Sequence, residues 1–359
     1  MRTLGPDNPQ TRNSVSILIA VVRDRGCPSI LRQRAGMCLG RIGPSAADAV
    51  PVLIQFLQAD ERPWVLKSLG LFGKTASDAV QALAADLHNR SRSMEDRILV
   101  ADVLGQIRTG PAIEALGQEL LRLAVTPPDP VAGSVQPEKL LHRTMLDAVA
   151  LAGPQAVGAL PALVRSLENS HSEIRRQACR TIGRLGPRAE SAIDSVLERL
   201  VLEGSPEVQD AAADALGQLG PNAIPVLLRV VRDGPADLQW RAARTLGGFD
   251  QRRLPANRKA DVVSELTVQF VSKSGRVRIE SLTAVWRLER SGQLVALPLV
   301  HELHSPERPF RMAAAQVLVE LGDLPAEVEQ SLRSLCSETN AAGRSAREIF
   351  RKRRLRCLP

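Results

Sequence analysis

Seven basic side chains crowd the last sixteen residues: Arg344, Arg347, Arg351, Lys352, Arg353, Arg354 and Arg356, opposed by Glu348 alone. Guanidinium and ammonium groups at this density attract phosphate backbones, acidic protein surfaces or anionic lipid headgroups. They are the candidate polyanion- or partner-binding element of the chain. The same stretch, "GRSAREIFRKRRLRCLP", also spaces Ile349, Phe350 and Leu355 as the inward face of a capping helix with solvated arginines. The two readings are compatible. Cys357 stands third from the end, so it does not form a prenylation box.

Two shorter patterns imitate nucleotide and metal chemistry. "GLFGKTAS" (70–77) carries the Gly-Lys-Thr of a phosphate-cradling loop. That loop needs a glycine at position 68, where Ser68 stands, and a strand before it, where a helical pattern runs. His301-Glu302-Leu303-His304 sets two histidines three apart on a helix, near enough to share a metal. No spacing supplies a third ligand, and the zinc-protease pattern requires two residues between Glu and the second His. We expect solvent-facing histidines here, no cofactor, no metal and no small-molecule substrate.

The chain has 359 residues and a formal charge of +8, from 47 basic and 39 acidic side chains. Most of that excess lies in 344–359, so the body is nearly neutral, which argues against a long phosphate-binding groove. Hydrophobic residues make up 44% of the chain but aromatics only 3%, with no Tyr. A core of Ala, Leu, Val and Ile suits close-packed helices. A mean hydropathy of −0.07 and the lack of a long apolar run speak against a membrane span. Cys27, Cys38, Cys179, Cys336 and Cys357 are scattered, odd in number and form no CxxC, which fits a reducing cytoplasm. The N-terminal apolar run Ile17–Val22 is followed by charges, not by a secretory cleavage site.

What must position these residues is a repeat. "AGMCLGRIGPSAADAVPVLIQFL" (35–57) returns as "VLKSLGLFGKTASDAVQALAADL" (65–87), "ACRTIGRLGPRAESAIDSVLERL" (178–200) and "AADALGQLGPNAIPVLLRVV" (212–231). Anchored on Gly40, Gly70, Gly105, Ala150, Gly183, Gly217, Gly247, Trp286 and Val319, the units recur every 30 to 45 residues. The residue before each anchor is aliphatic in all nine units, and the residue two after it is apolar in all nine. Positions −9, −5, −1 and +2 therefore share one helical face; Glu61 and Asp96 are the polar exceptions at −9. Gly43, Gly73, Gly153, Gly186, Gly220 or Gly322 then closes the helix in a left-handed conformation, and Pro44, Pro154, Pro187 and Pro221 prevent continuation. A second helix opens near Pro51, Pro161, Pro225 and Pro298. Helix pairs of this size bury their apolar faces only by stacking.

On the motif A-x-x-x-L-G-x-x-G-P, the chain resembles the HEAT-repeat family, particularly the bacterial HEAT-like repeats first associated with phycobilisome lyases. The resemblance implies an all-α, right-handed α-α superhelix, a HEAT-like solenoid of about nine helix pairs. We expect it to fill 1–337, beginning in mid-repeat ("LGPDNPQTRNSVSILIAVVRD", 4–24), with a basic segment or capping helix at 338–359. Insertions near 123–140 and 250–260 interrupt the array as spacers; the second carries Arg252, Arg253, Arg258 and Lys259. The implied function is a non-enzymatic scaffold or adaptor that binds a protein partner on a concave face lined by second helices. Two alternatives stand beside it. One is nucleic-acid binding through the basic tail, with Trp240 exposed beside Arg241 and Arg244 and Trp286 packed between helices. The other is bilin lyase-like activity, although no residue marks a tetrapyrrole site. HEAT-like di-iron hydroxylases carry several His-Glu pairs at repeat intervals, and this chain has one, His301-Glu302.

Overall fold

Each apolar column becomes the buried face of a helix. The structure, a computed structural model, describes residues 9–58, 61–125, 135–252, 254–321 and 324–353. The first helices of the pairs are the even-numbered ones: α2 (Ser29–Ile42), α4 (Arg62–Phe72), α6 (Met94–Ile107), α8 (Val135–Ala152), α10 (Ser172–Leu185), α12 (Pro206–Leu219), α14 (Ala236–Leu246), α16 (Gly275–Glu289), α18 (Arg308–Glu320) and α20 (Ala341–Lys352). The second helices are α1 (Pro9–Arg23), α3 (Val50–Gln55), α5 (Val80–His88), α7 (Gly110–Val125), α9 (Leu160–Ser166), α11 (Ile193–Leu202), α13 (Ile224–Asp233), α15 (Ala256–Val268), α17 (Ala296–Glu302) and α19 (Ala326–Cys336). No strand occurs among the described residues. The fold is all-α, an α-α repeat of stacked pairs.

The chain forms two units, Met1–Val196 and Leu197–Pro359. In the first, α2 packs on α4, α4 on α6, α6 on α8 and α8 on α10, with α5, α7 and α9 as the second layer. In the second, α12 packs on α14, α14 on α16, α16 on α18 and α18 on α20, with α13 on α15 and α17 on α19. The column before the anchor, from Leu39 to Leu318, is 0% exposed in all nine units. Glycine at the anchor serves close approach: a Cβ on Gly105 would lie 2.5 Å from that of Ala148, and one on Gly247 would lie 2.6 Å from the Ala284 Cα.

The helix-closing glycines have positive φ, as expected, but not the ψ of a left-handed helical residue. Gly43 has φ 73° and ψ −134°, and Gly186 has φ 65° and ψ −153°. Positive φ with extended ψ is still less open to side chains. It sends the chain into a tight 3₁₀ segment, Gly43–Ala49, Gly73–Ala79, Gly153–Ala159 or Gly186–Ala192, with a short version at Pro221–Ala223. Within these segments Ala46, Ala76, Ala156, Ala189 and Ala223 are 0% exposed, sealing the ends of the first helices. Gly322 lies outside the described residues.

A polar column eight residues before the anchor holds successive pairs together. Arg62 donates to the Leu57 carbonyl at 2.8 Å, Arg97 to Leu87 at 2.9 Å and Arg175 to Asn169 at 2.8 Å. In the second unit Gln209 donates to Glu203 at 2.8 Å, Gln239 to Val231 at 3.0 Å, Arg278 to Ser272 at 2.8 Å and Arg311 to Ser305 at 2.7 Å. Each side chain thus satisfies carbonyls at the end of the preceding second helix, which the helix itself leaves open. Several also pair with an acid on their own second helix: Arg62 with Asp86 (2.8 Å), Arg97 with Glu119 (2.6 Å) and Arg278 with Glu302 (2.6 Å). The two exceptions at −9 are explained by the same column: Glu61 pairs with Arg32, and Asp96 with Arg62. In the fourth pair the column holds His142, buried, with Nε2 3.1 Å from Ser166 Oγ. Burial, reinforced by nearby His171, lowers its pKa to about 4.

By length and composition 29–55 and 137–166 are apolar enough to cross a membrane. Each breaks at a glycine of positive φ, Gly43 or Gly153, into separate packed helices.

Candidate partner-binding cleft

In the second unit α14, α16 and α18 end without the Gly-Pro turn, and their ends stay open. α14 runs into Gly247, Gly248 and Phe249 without a 3₁₀ segment; α16 ends on Arg290 at φ 54°, whose N–H returns to the Trp286 carbonyl at 2.8 Å; α18 ends at Leu321 with ψ 134°. Between these ends lies a cleft of about 680 Å³. The loop Gly247–Arg252 forms one wall, Trp286, Arg287 and Arg290 a second, and Gln316 and Glu320 a third.

Its chemistry is cationic and aromatic. Phe249 and Trp286 are half-buried, and Arg252, Arg287 and Arg290 are exposed. The Arg290 guanidinium lies 5.5 Å from the Trp286 ring centre. Among the described residues none of the three arginines has a carboxylate within 4 Å, whereas the cleft's acids are engaged. Asp250 Oδ1 accepts from the Arg252 backbone N–H at 3.0 Å, and Glu320 Oε1 accepts from the Gln316 amide at 3.1 Å. Earlier on α16, burial holds Glu280 above the usual carboxylate range, against the pull of Arg244, Arg276 and Arg287.

Two expectations about tryptophan reverse. Trp286 lines this cleft instead of being packed between helices, because the anchor of α16 lies at an open end. Trp240 is 5% exposed, not exposed: Arg276 from α16 lies over its ring at 3.3 Å, with Arg241 and Arg244 beside it. The insertion near 250–260 is also shorter than its composition implies. α15 begins at Ala256, Arg258 donates to the Pro221 carbonyl at 3.1 Å and Lys259 pairs with Glu289 at 3.3 Å. Arg253 lies outside the described residues. So do 126–134 of the earlier insertion, whose flanks continue α7 and α8.

The basic tail divides by role. In α20, Ile349 and Phe350 are buried against α18 and α19, as expected of a capping helix; Leu355, Arg354 and Arg356 lie outside the described residues. Arg347 donates to the carbonyls of Cys336 (2.6 Å) and Glu338 (2.8 Å), and Arg353 to that of Leu318 (2.8 Å). Arg344 reaches the Thr339 carbonyl at 3.4 Å. Lys352 pairs with Glu348 at 3.0 Å, and Arg351 lies 3.9 Å from the same carboxylate, 78% exposed. Lys352 accordingly pulls the Glu348 pKa down.

The imitation motifs are spent in the same way. His301 and His304 are exposed, while Glu302 is buried on Arg278. Among the described residues no group of three or more potential ligands is placed to hold a metal. Lys74 stands exposed in the 3₁₀ segment after α4, so a helix precedes the would-be phosphate loop.

The sequence signal for the cleft was the loss of Gly-Pro after Gly247 and Trp286, where Asp250-Gln251 and Glu289-Arg290 stand instead.

Residues 208–233 match the model of the PBS lyase HEAT-like repeat. No curated protein matches the chain. Among solved structures it is similar to an engineered protein from the Northeast Structural Genomics Consortium, with 20% identity over 95% of this chain and 99% of that one, at a TM-score of 0.40. It is also similar to the karyopherin Kap121p bound to the extreme C-terminus of the protein phosphatase Cdc14p, with 15% identity over 94% of this chain, at a TM-score of 0.49. It spans 41% of the length of Kap121p. The matched repeat shares its aliphatic-glycine anchor and its carbonyl-binding column with the pairs before and after it, and its buried turn alanine with the pair before, so the HEAT-like repeat matched at 208–233 is the unit of which the chain is built.

Proposed function

We propose that the protein is a non-enzymatic scaffold or adaptor of the cytoplasm, holding a partner protein along its second helices. One observation carries this reading. The column eight residues before the anchor turns its arginines onto carbonyls, while aliphatic pairs stay outside. Val201 and Leu202 on α11, and Val268 and Val271 at and after the end of α15, are 47% to 87% exposed. Aliphatic side chains in a surface of mixed charge suit a protein partner; a phosphate backbone requires a cationic track. HEAT-repeat folds commonly mediate protein–protein contact.

The test is to isolate a partner by affinity capture and mass spectrometry, then measure direct binding of the purified pair and map it by hydrogen exchange. Protection on exposed faces of successive second helices is expected. Binding of duplex DNA with a steep salt slope, lost on deleting 344–359 from a chain that still melts normally, would replace this reading with the nucleic-acid one. Chromophore transfer to a phycobiliprotein would replace it with the lyase one.

A further inference from the structure

We propose that the cleft at the ends of α14, α16 and α18 docks a short acidic segment of a partner protein. Its carboxylates would be taken by Arg252, Arg287 and Arg290, with one apolar side chain laid against Trp286. The proposal rests on the scaffold reading and adds to it the place and chemistry of one contact.

Three features of the site converge on this occupant. First, the three guanidiniums are exposed, line one cleft together and lack a carboxylate within 4 Å among the described residues, whereas the arginines of the column eight residues before the anchor are bound to carbonyls or acids. A guanidinium left open presents a fork that matches a carboxylate with two parallel hydrogen bonds. Second, Trp286 is half-buried, with Arg290 5.5 Å from its ring centre. Aromatic and arginine side chains together in a concavity are the composition of interface anchor points. Third, the size and the acids select against a nucleic acid. A cleft of about 680 Å³ holds a few peptide side chains. Duplex DNA presents a charge about every 1.7 Å of its axis and would meet Asp250 and Glu320 on the same walls. A peptide can place discrete carboxylates on the arginines and leave these acids facing its backbone amides or water.

The tryptophans supply the readout. Trp64 and Trp240 are 6% and 5% exposed, so acrylamide quenching of the full chain reports chiefly on Trp286. The probe is a fluorescein-free synthetic octapeptide of Glu and Asp with one central Leu; a second octapeptide replaces each acid with Lys. The acidic peptide should shield the quenchable tryptophan in a saturable manner, and the lysine peptide should not. The triple change Arg252→Gln, Arg287→Gln and Arg290→Gln should weaken the acidic peptide by at least about tenfold, as expected for the loss of charge-assisted hydrogen bonds. Arg90→Glu, an exposed change in the first unit, should leave binding as it was. Melting curves of each variant guard against unfolding, and the single change Arg287→Gln serves if the triple variant does not fold. Trp286→Phe should abolish the quenching response while isothermal titration still detects the peptide.

The proposal falls if the acidic peptide gives no shielding at millimolar concentration, or if it binds the triple variant equally well. It falls too if a duplex DNA 12-mer occupies the cleft more tightly than the peptide. The scaffold reading is judged separately: a partner that binds the wild type and the triple variant alike sinks the cleft and leaves the scaffold standing.

Discussion

The two units solve the end of a first helix differently. In Met1–Val196, four of the five first helices run into seven-residue 3₁₀ segments that each bury an alanine completely, and α6 ends instead on Arg108 at φ 52°. In Leu197–Pro359 only α12 keeps a short form of that turn, and α14, α16 and α18 end open. The backbone repeat is the same, so the difference comes from a few residues. A glycine of positive φ, followed by proline in four of the five cases, closes the end and buries an alanine; Asp250-Gln251 or Glu289-Arg290 leaves it uncovered, lined with arginines. Regular repeats serve cohesion, and the departures from them expose side chains to a partner.

That contrast can be broken or sharpened by experiment. The largest effect is expected at the ion pairs of the regular unit. Arg97→Ala would take from Glu119, 3% exposed, its 2.6 Å partner and leave it only His88 at 3.7 Å and Arg122 at 3.8 Å, and should destabilise by about 3 kcal/mol in denaturant unfolding. Replacing Arg97 and Glu119 together by Leu should recover much of this, since no buried charge is then left unpaired. In the second unit, Arg311→Ala removes only bonds to the Ser305 and Pro306 carbonyls and should cost less, about 1.5–3 kcal/mol. Arg278, paired with buried Glu302 in the second unit, should behave like Arg97, and equal losses at Arg97 and Arg311 would show that the buried carboxylate adds nothing.

Cohesion by the apolar column should be common to both units. Leu216→Ala, at 0% exposure, should cost about 2–5 kcal/mol. Asp214→Ala, losing only an exposed pair with Arg244, should stay within about 0.5 kcal/mol. Similar midpoints for the two variants would show that the repeat phase is misplaced.

His142 gives a pH signature to the first unit alone. Its imidazole is neutral in the fold, with a pKa of about 4 against 6.5 for the free side chain. Between those values the unfolded chain takes up a proton that the folded one does not. Stability is therefore lost as pH falls from about 6.5 towards 4, by at most about 3 kcal/mol. His142→Gln should flatten that part of the curve; an unchanged slope would show that the imidazole is solvated. The smallest effect belongs to the cleft. Arg287→Gln should shift the unfolding midpoint hardly at all, and a large loss would mean that the arginine holds the fold instead of awaiting a ligand.

Much of this was legible in the residues. The nine aliphatic positions before the anchors predicted a buried helical face, and all nine are buried. The anchor glycines allow close backbone approach, as Gly105 and Gly247 show. The column eight residues before the anchor is present in the sequence as Arg62, Arg97, Arg175, Arg278 and Arg311, but apolar periodicity gives no sign of its role. Its partners are backbone carbonyls, which carry no sequence signature. Glu61 and Asp96 looked like defects for the same reason: their arginines lie a full repeat away.

The sequence by itself determined the repeat, because apolar periodicity and Gly-Pro punctuation act locally, within one turn of helix. Tertiary structure alone decided which charges remain available. Arg347 and Arg353 of the tail are drawn onto carbonyls of neighbouring elements, while Arg252, Arg287 and Arg290 are left open by three helix ends far apart in the chain. It also reversed the two tryptophans: Trp240 is covered by an arginine from the next first helix, and Trp286 is uncovered because no turn follows to seal it. Whether a side chain is covered depends on what the stack places against it, and that is a property of neighbours in space.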